Sequence, residues 1–391
     1  MTRIVAVICV SAAIVVTMFS TDANAARKQN PSDQLSQTLQ QAGLKELENE
    51  VVRQLGQAIE VGAPLRLDQR TAFPPTTIPI DDFHPKRLEL TKENALEQVE
   101  PGDYTMTVIG YCTKWSLHYP GRGLPYELAP LQGRHAQTIS TLLWRGMLQG
   151  LPPKMTRTMS WRIQGGVPLS RWPPNEQKLV HELIPEFEGS LEGDFVQQTL
   201  NVYEKARPLG KLPPFDALLT RLGPIGETVR DAQRARRVLA NKTLAAERMP
   251  DLLYGRPRDG LPRVLNGGPN DPPSAWSEIV PGVFARLTII RGDLGENVLD
   301  LRITPGARMP STAGWHGPAA STNQSRRSLI MPAAVIIYEE EPEGPWTFWG
   351  VFRYLSGLIA YPEGRPAQAL ILVPERCKEF NCGFGEIGIR G

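Results

Sequence analysis

The sequence predicts an α+β protein, with a mixed strand-and-helix middle domain followed by a small β-rich C-terminal domain. Three observations carry this expectation. Residues 134–149 and 175–184 repeat apolar side chains at helical spacing, while Tyr104 to Tyr111 is a β-rich run leading into Cys112. Beyond a segment dense in Gly and Pro at 256–275, the apolar period changes from helical to alternating.

The first 25 residues form a unit of their own. Arg3 supplies a short positive start, Ile4 to Phe19 is an almost unbroken apolar run, and Ala23-Asn24-Ala25 ends it in small residues. This order predicts a secretory signal peptide, cleaved near Ala26, and hence an exported, periplasmic or extracellular bacterial protein. The apolar core falls short of the ~20 residues of a spanning helix. Cys9 follows Ile8, where a lipoprotein signal needs a small residue. No later stretch is apolar enough to cross a bilayer, so the mature chain is expected to lack a transmembrane segment.

Residues 26–100 are expected to hold an amphipathic helix and a Pro-rich linker. Leu35, Leu39, Ala42, Leu47, Val51, Leu55 and Ile59 recur near helical spacing across 31–61, with Ser32 or Asp33 as cap. The linker reads Phe73-Pro-Pro-Thr-Thr-Ile-Pro-Ile-Asp-Asp. A mainly helical α+β domain then spans 101–255. After the Tyr104–Tyr111 strand, Ile139, Leu142, Leu143 and Met147 share one helix face. Asn175 is the expected cap of a helix carrying Leu179, Val180, Leu183 and Ile184, stopped by Pro185. Two more helices are predicted at 191–206 and 225–248.

Residues 256–391 are read as linker plus β-rich domain. Val283–Ile290 and Asn297–Ile303 alternate around Arg291-Gly-Asp-Leu-Gly-Glu, a hairpin signal, and Met331–Tyr338 and Ala369–Val373 are further β-branched runs. The aromatic group around Trp346 and Trp349 is expected in the core of this domain.

Composition narrows function by exclusion. Charged residues are 21% and hydrophobic residues 41%, a globular balance, and a net charge of +2 argues against a dedicated nucleic-acid binder. Gly383-Phe-Gly-Glu-Ile-Gly388 matches a dinucleotide-loop spacing, but too few residues follow to build its helix. His181-Glu182 begins like a zinc-protease helix, yet Pro185 stands where the second His belongs. The five histidines are scattered singly, so neither a histidine-built metal site nor a cofactor is expected. Arg230, Arg234 and Arg237, with Arg236 and Lys242 nearby, form a basic helix face that reads as solvated surface.

Cysteine placement is more informative. In an oxidising compartment, Cys377 and Cys382 are expected to close a local disulfide, leaving Cys112 odd. A nucleophilic Cys112 would need a base, and His118, six residues on, or His135, at a helix start, are the candidates. The bland alternative is a buried thiol flanked by Tyr111 and Trp115.

Over residues 105–165 the chain resembles the thioester domains of bacterial surface adhesins. Tyr111-Cys112 follows a strand, a helical stretch intervenes, and Thr156-Arg157-Thr158-Met159-Ser160-Trp161 follows. In that family a glutamine stands at the position of Arg157 and joins the cysteine as an internal thioester. The resemblance implies a related fold without the bond, because a guanidinium supplies no acyl group. Gln164, three residues past Trp161, is the displaced candidate partner. The leading expectation is therefore an exported cell-envelope binding or structural protein with an unknown envelope or extracellular partner. The alternatives are a cysteine-dependent acyl-transfer or hydrolytic enzyme using Cys112, and a thioester adhesin using Cys112 and Gln164.

Overall fold

The computed structural model describes residues 44–66, 72–76, 80–91, 94, 97–113, 126–209, 212–241, 273–291, 293–308, 346–362 and 369–375. The leader, the first part of the 31–61 helix, His118, Lys242, Met331–Tyr338, Cys377 and Cys382 lie outside them. No described helix is long and apolar enough to cross a membrane.

The class is α+β. The strands are β1 (Lys86–Arg87), β2 (Gly102–Cys112), β3 (Tyr126–Pro130), β4 (Ser277–Val280), β5 (Val283–Thr288), β6 (Glu296–Ile303), β7 (Leu358–Pro362) and β8 (Leu370–Pro374). They build one sheet in the order β3-β7-β8-β2-β6-β5-β4, with β1 alongside β2. All pairings are antiparallel except β1 with β2. The segments on either side of residue 255 thus share a sheet: β2 pairs with β6 through Met106↔Leu299 and with β8 through Tyr111↔Ile371. Hydrogen bonds to both neighbours are what a strand buried on both faces requires, and Val108, Tyr111 and Cys112 are indeed buried.

Residues 73–76, at the start of the Pro-rich linker, bridge the two sheet edges. Phe73 N–H donates to Leu128 O of β3 at 2.8 Å, and Thr76 N–H donates to Trp276 O beside β4 at 2.7 Å. Pro74 and Pro75 lie between these donors and have no N–H to offer. Farther on, Phe83 packs edge-on to Trp276 at 5.1 Å, with the Arg286 guanidinium 4.6 Å from the Trp276 ring centre. Arg302 bonds to Asp103 at 2.6 Å and to the carbonyls of Asp81 and Asp82, holding Asp82 at φ 52°.

The helices are α1 (Leu44–Gly62), α2 (Ala136–Leu148), α3 (Pro153–Gln164), α4 (Pro174–Leu183), α5 (Phe195–Ala206), α6 (Phe215–Arg221), α7 (Pro224–Leu239) and α8 (Phe348–Leu355). Val51 and Leu55 of α1 are buried with Tyr203, Ala206 and Leu218, so this amphipathic helix packs onto its own molecule. Asn175 is not a cap: α4 starts one residue earlier at Pro174 and has no side-chain cap. Proline suits a first helical position because its φ is preset and its absent N–H would be unpaired there anyway. Trp349 lies in a helix rather than a strand, since Thr347 caps α8 by accepting the Gly350 N–H at 3.0 Å.

On the basic face of α7, Arg230 pairs with Glu227 and Arg234 with Asp231 at 3.0 Å, Arg236 reaches Asp194 at the start of α5 at 2.6 Å, and Arg237 is exposed. Helices α2 and α3 approach closely at Gly146, where an added Cβ would lie 2.5 Å from the Thr156 methyl. Gly146→Ala is accordingly expected to lower stability by about 1–3 kcal/mol through overpacking, although Ala is the better helix former. Chemical denaturation should show Thr156→Ser recovering most of the loss in the double variant, because it deletes the clashing methyl.

Candidate functional site

Cys112 ends β2 at a place where the ladder to β6 has given out. The last β2–β6 partners are Ile109 and Glu296, and the tip of the β5–β6 hairpin continues along β2 in their stead. Leu294 N–H donates to Gly110 O at 2.7 Å, and Gly110 bridges Asp293 in parallel. The Cys112 N–H has no strand carbonyl on this side, so it donates to the Asp293 carboxylate at 3.0 Å.

The hairpin tip is shaped for this task. Leu294 takes a left-handed φ of 54°, and an added Cβ on Gly295 would lie 2.2 Å from the Arg291 Cβ. Asn297, fully buried, accepts the Ile290 and Arg291 N–H groups at 3.0 and 3.2 Å and donates to Gly295 O at 3.1 Å.

Helix α3 closes the site from the other direction. The Arg157 guanidinium pairs with the Asp293 carboxylate, and each side chain is only 4% exposed. Arg157 also lies 4.6 Å from the Trp161 ring centre, while the Trp161 indole N–H donates to Cys112 O at 2.8 Å. Both main-chain groups of Cys112 are thereby held by groups that α3 supplies or anchors.

The chemistry of this arrangement is that of a sealed thiol. Cys112 is fully buried, and burial, with the adjacent Asp293 charge, pushes its thiol well above the ordinary range. Activated cysteines show the reverse, a lowered value in an electropositive and accessible place. Tyr111 is likewise pushed up to about 12, mainly by burial. The charges acting on Cys112 come from Asp293 and Arg157. His135 instead sits at the N-terminal boundary of α2 without a side-chain capping bond, 8% exposed, with the Arg134 charge beside it. Burial first, then Arg134, lowers His135 to about 4, so it is neutral at pH 7. Gln164 is buried at the end of α3 with its amide nitrogen unpartnered.

Sequence reasoning singled out Cys112, Arg157 and Trp161, and the fold brings these three together. It missed Asp293, which lies 181 residues from Cys112 and was visible only as a turn residue in a hairpin signal. Among the described residues, no group of three or more His, Cys, Asp or Glu could hold a metal ion.

Two consequences can be measured. Asp293→Asn leaves the Arg157 charge buried without its counter-ion, and denaturant unfolding should show a loss of about 3–5 kcal/mol. The unfolded chain takes up a proton on His135 near pH 6.5, whereas the folded chain does so only near pH 4. Its contribution to stability is therefore complete above pH 6.5 and declines as pH falls towards 4, by about 3 kcal/mol in all. Subtracting the pH–stability curve of His135→Gln should isolate that slope. No family model, curated protein or solved structure matches this chain.

Proposed function

We propose that the protein is an exported binding or structural component of the cell envelope in which Cys112 holds the fold together. The single observation behind this reading is the enclosure of Cys112 by Asp293, Arg157 and Trp161, with its thiol fully buried and its ionisation suppressed. A nucleophile would need a base and an entrance, and the thiol's charged neighbours are a carboxylate and a guanidinium. The leader-like first 25 residues and the absence of a spanning helix among the described residues support export as a non-spanning chain.

The thioester resemblance supports the same reading from a second side. Arg157, at the position where the adhesin family has its acyl donor, is beside Cys112 in space and committed to Asp293. In this reading an ion pair and a peptide-to-carboxylate hydrogen bond fasten the strand end to the helix, where the family uses a covalent bond.

Intact-mass analysis of the exported product tests this reading, with methylamine and alkylating agent added before and after denaturation. The expected product starts at Ala26, shows no deficit of about 17 Da from ammonia release, gains nothing from methylamine, and alkylates at Cys112 only once unfolded. A methylamine adduct on the native protein would instead establish the thioester with Gln164. Native alkylation of Cys112, combined with lost function in a folded Cys112→Ala variant, would establish the cysteine enzyme. An unprocessed chain retained in the cytosol would overturn export.

A further inference from the structure

Independently of Cys112, one face of the sheet holds two guanidiniums and an indole in fixed positions. The β2–β6 and β5–β6 registers set Arg302 opposite Asp103, and Asp300 opposite both Thr105 and Arg286. Asp300 accepts from Thr105 Oγ1 at 2.9 Å and from Arg286 Nη2 at 2.7 Å. Asp103 accepts from Arg302 Nε at 2.6 Å and Nη2 at 2.7 Å. Each guanidinium is thus aimed by a carboxylate on the neighbouring strand. Trp276, just before β4, extends the row, with its ring centre 4.6 Å from the Arg286 guanidinium.

Residues 81–84 of the same chain lie against these groups. Phe83 is edge-on to Trp276 at 5.1 Å, and the Arg286 and Arg302 guanidiniums are 5.5 and 6.0 Å from its ring centre. Arg302 donates to the Asp81 and Asp82 carbonyls at 3.2 and 3.3 Å, and Asp103 accepts the His84 N–H at 2.9 Å. We propose that Trp276, Arg286 and Arg302 form a recognition surface for an acidic–aromatic peptide segment of a partner protein, and that Asp81-Asp82-Phe83 occupies it in cis as a releasable stand-in. A ring held among guanidiniums selects an aromatic residue, and the donor edges beside it select an acid.

Three features make the stand-in replaceable. Asp82 is held at φ 52°, a left-handed conformation that is costly for an L-residue and that a separate peptide need not adopt. The Asp81 and Asp82 carboxylates are exposed and in no hydrogen bond or ion pair among the described residues, although their charges act on Arg302 after that of Asp103. Arg286 uses Nε and Nη2 on Asp300, and its Nη1 has no hydrogen-bond partner among the described residues. A carboxylate placed there would gain a charge-assisted bond that the chain's own segment does not make. Finally, the seam between the sheet edges does not depend on this contact, because Phe73 and Thr76 hold it through their own N–H groups. A tethered segment has an effective concentration of about millimolar, so it masks the surface from weaker ligands.

Fluorescence anisotropy with a labelled peptide of residues 79–85 tests this on the full chain. Phe83→Ala, a change at a half-buried position, vacates the place of the ring. That variant should bind the peptide saturably and about tenfold more tightly than the unsubstituted chain does. Replacing the peptide's Phe by Ala, or both its Asp by Asn, should weaken binding about tenfold, as should adding Arg286→Gln to the protein. Arg234→Gln, on α7, should leave binding unchanged. The unsubstituted chain supplies a second measurement that needs no variant: excess peptide should speed hydrogen exchange at His84 and leave it unchanged at Thr76. Binding indifferent to the Phe and Asp replacements, or no binding to Phe83→Ala together with unaltered exchange at His84, would overturn the surface. Self-association of the unsubstituted chain that the free peptide disperses would assign the place to a second copy and overturn the partner protein.

Discussion

The Asp293 carboxylate is the point on which three distant parts of the chain converge. It caps the last free peptide of β2, it belongs to the tip of the β5–β6 hairpin, and it neutralises Arg157 of α3. Arg157 in turn stacks on Trp161, which holds the carbonyl of the same cysteine. A buried ion pair is poor evidence for stability, because desolvation offsets most of its Coulombic attraction. Its value here is geometric: a guanidinium and a carboxylate that must not be left unpaired permit only one placement of hairpin tip against helix. The two-sided burial of β2 at Tyr111 and Cys112 follows from that placement.

The same sheet faces a problem at its outer strands. Edges β3 and β4 would each present unpaired N–H and C=O groups, which invite pairing with another chain. The segment containing Pro74 and Pro75 answers both at once, giving one hydrogen bond to β3 through Phe73 and another beside β4 through Thr76. The prolines cannot extend the ladder, so this strap limits further pairing while joining the edges. Phe83, clamped by Trp276, Arg286 and Arg302, fixes the far end of the strap to the strand surface. Two described parts of the linker, residues 73–76 and Phe83, are consequently tied to the sheet.

How much of this was legible in the sequence depends on the range of the interactions. Helices α2, α4, α5 and α7 announced themselves because 3.6-residue periodicity is local, and the β5–β6 hairpin did so because Gly and Asp mark its turn. Helix α3 was hidden: its 12 residues are polar on average, yet Thr156, Arg157, Ser160, Arg162 and Gln164 are buried. Binary patterning assigns such residues to solvent, and only their partners, Asp293 for Arg157 and Glu176 for Arg162 at 2.8 Å, allow burial. The short strands β3 and β7 were missed for another reason: they pair with each other across more than 200 residues, with no turn between them to signal it. The change of apolar period near residue 256 did mark a real change in secondary structure. Its place in the architecture was not readable, because the register that sets β6 and β8 on either side of β2 is a tertiary fact.

Charge explains why the cysteine and the histidine, which sequence placed in one candidate dyad, have separate fates. A thiol is activated where positive charge is in excess; Asp293 cancels Arg157 beside Cys112, and burial then holds the proton on sulfur. At His135 burial acts first and the Arg134 charge second, and both disfavour a second proton on the ring. The imidazole is therefore neutral near pH 7, as the thiol is, but for the opposite reason: one group cannot gain a proton and the other cannot lose one. Acid–base catalysis needs groups that exchange protons near working pH, and burial takes both of these out of that range.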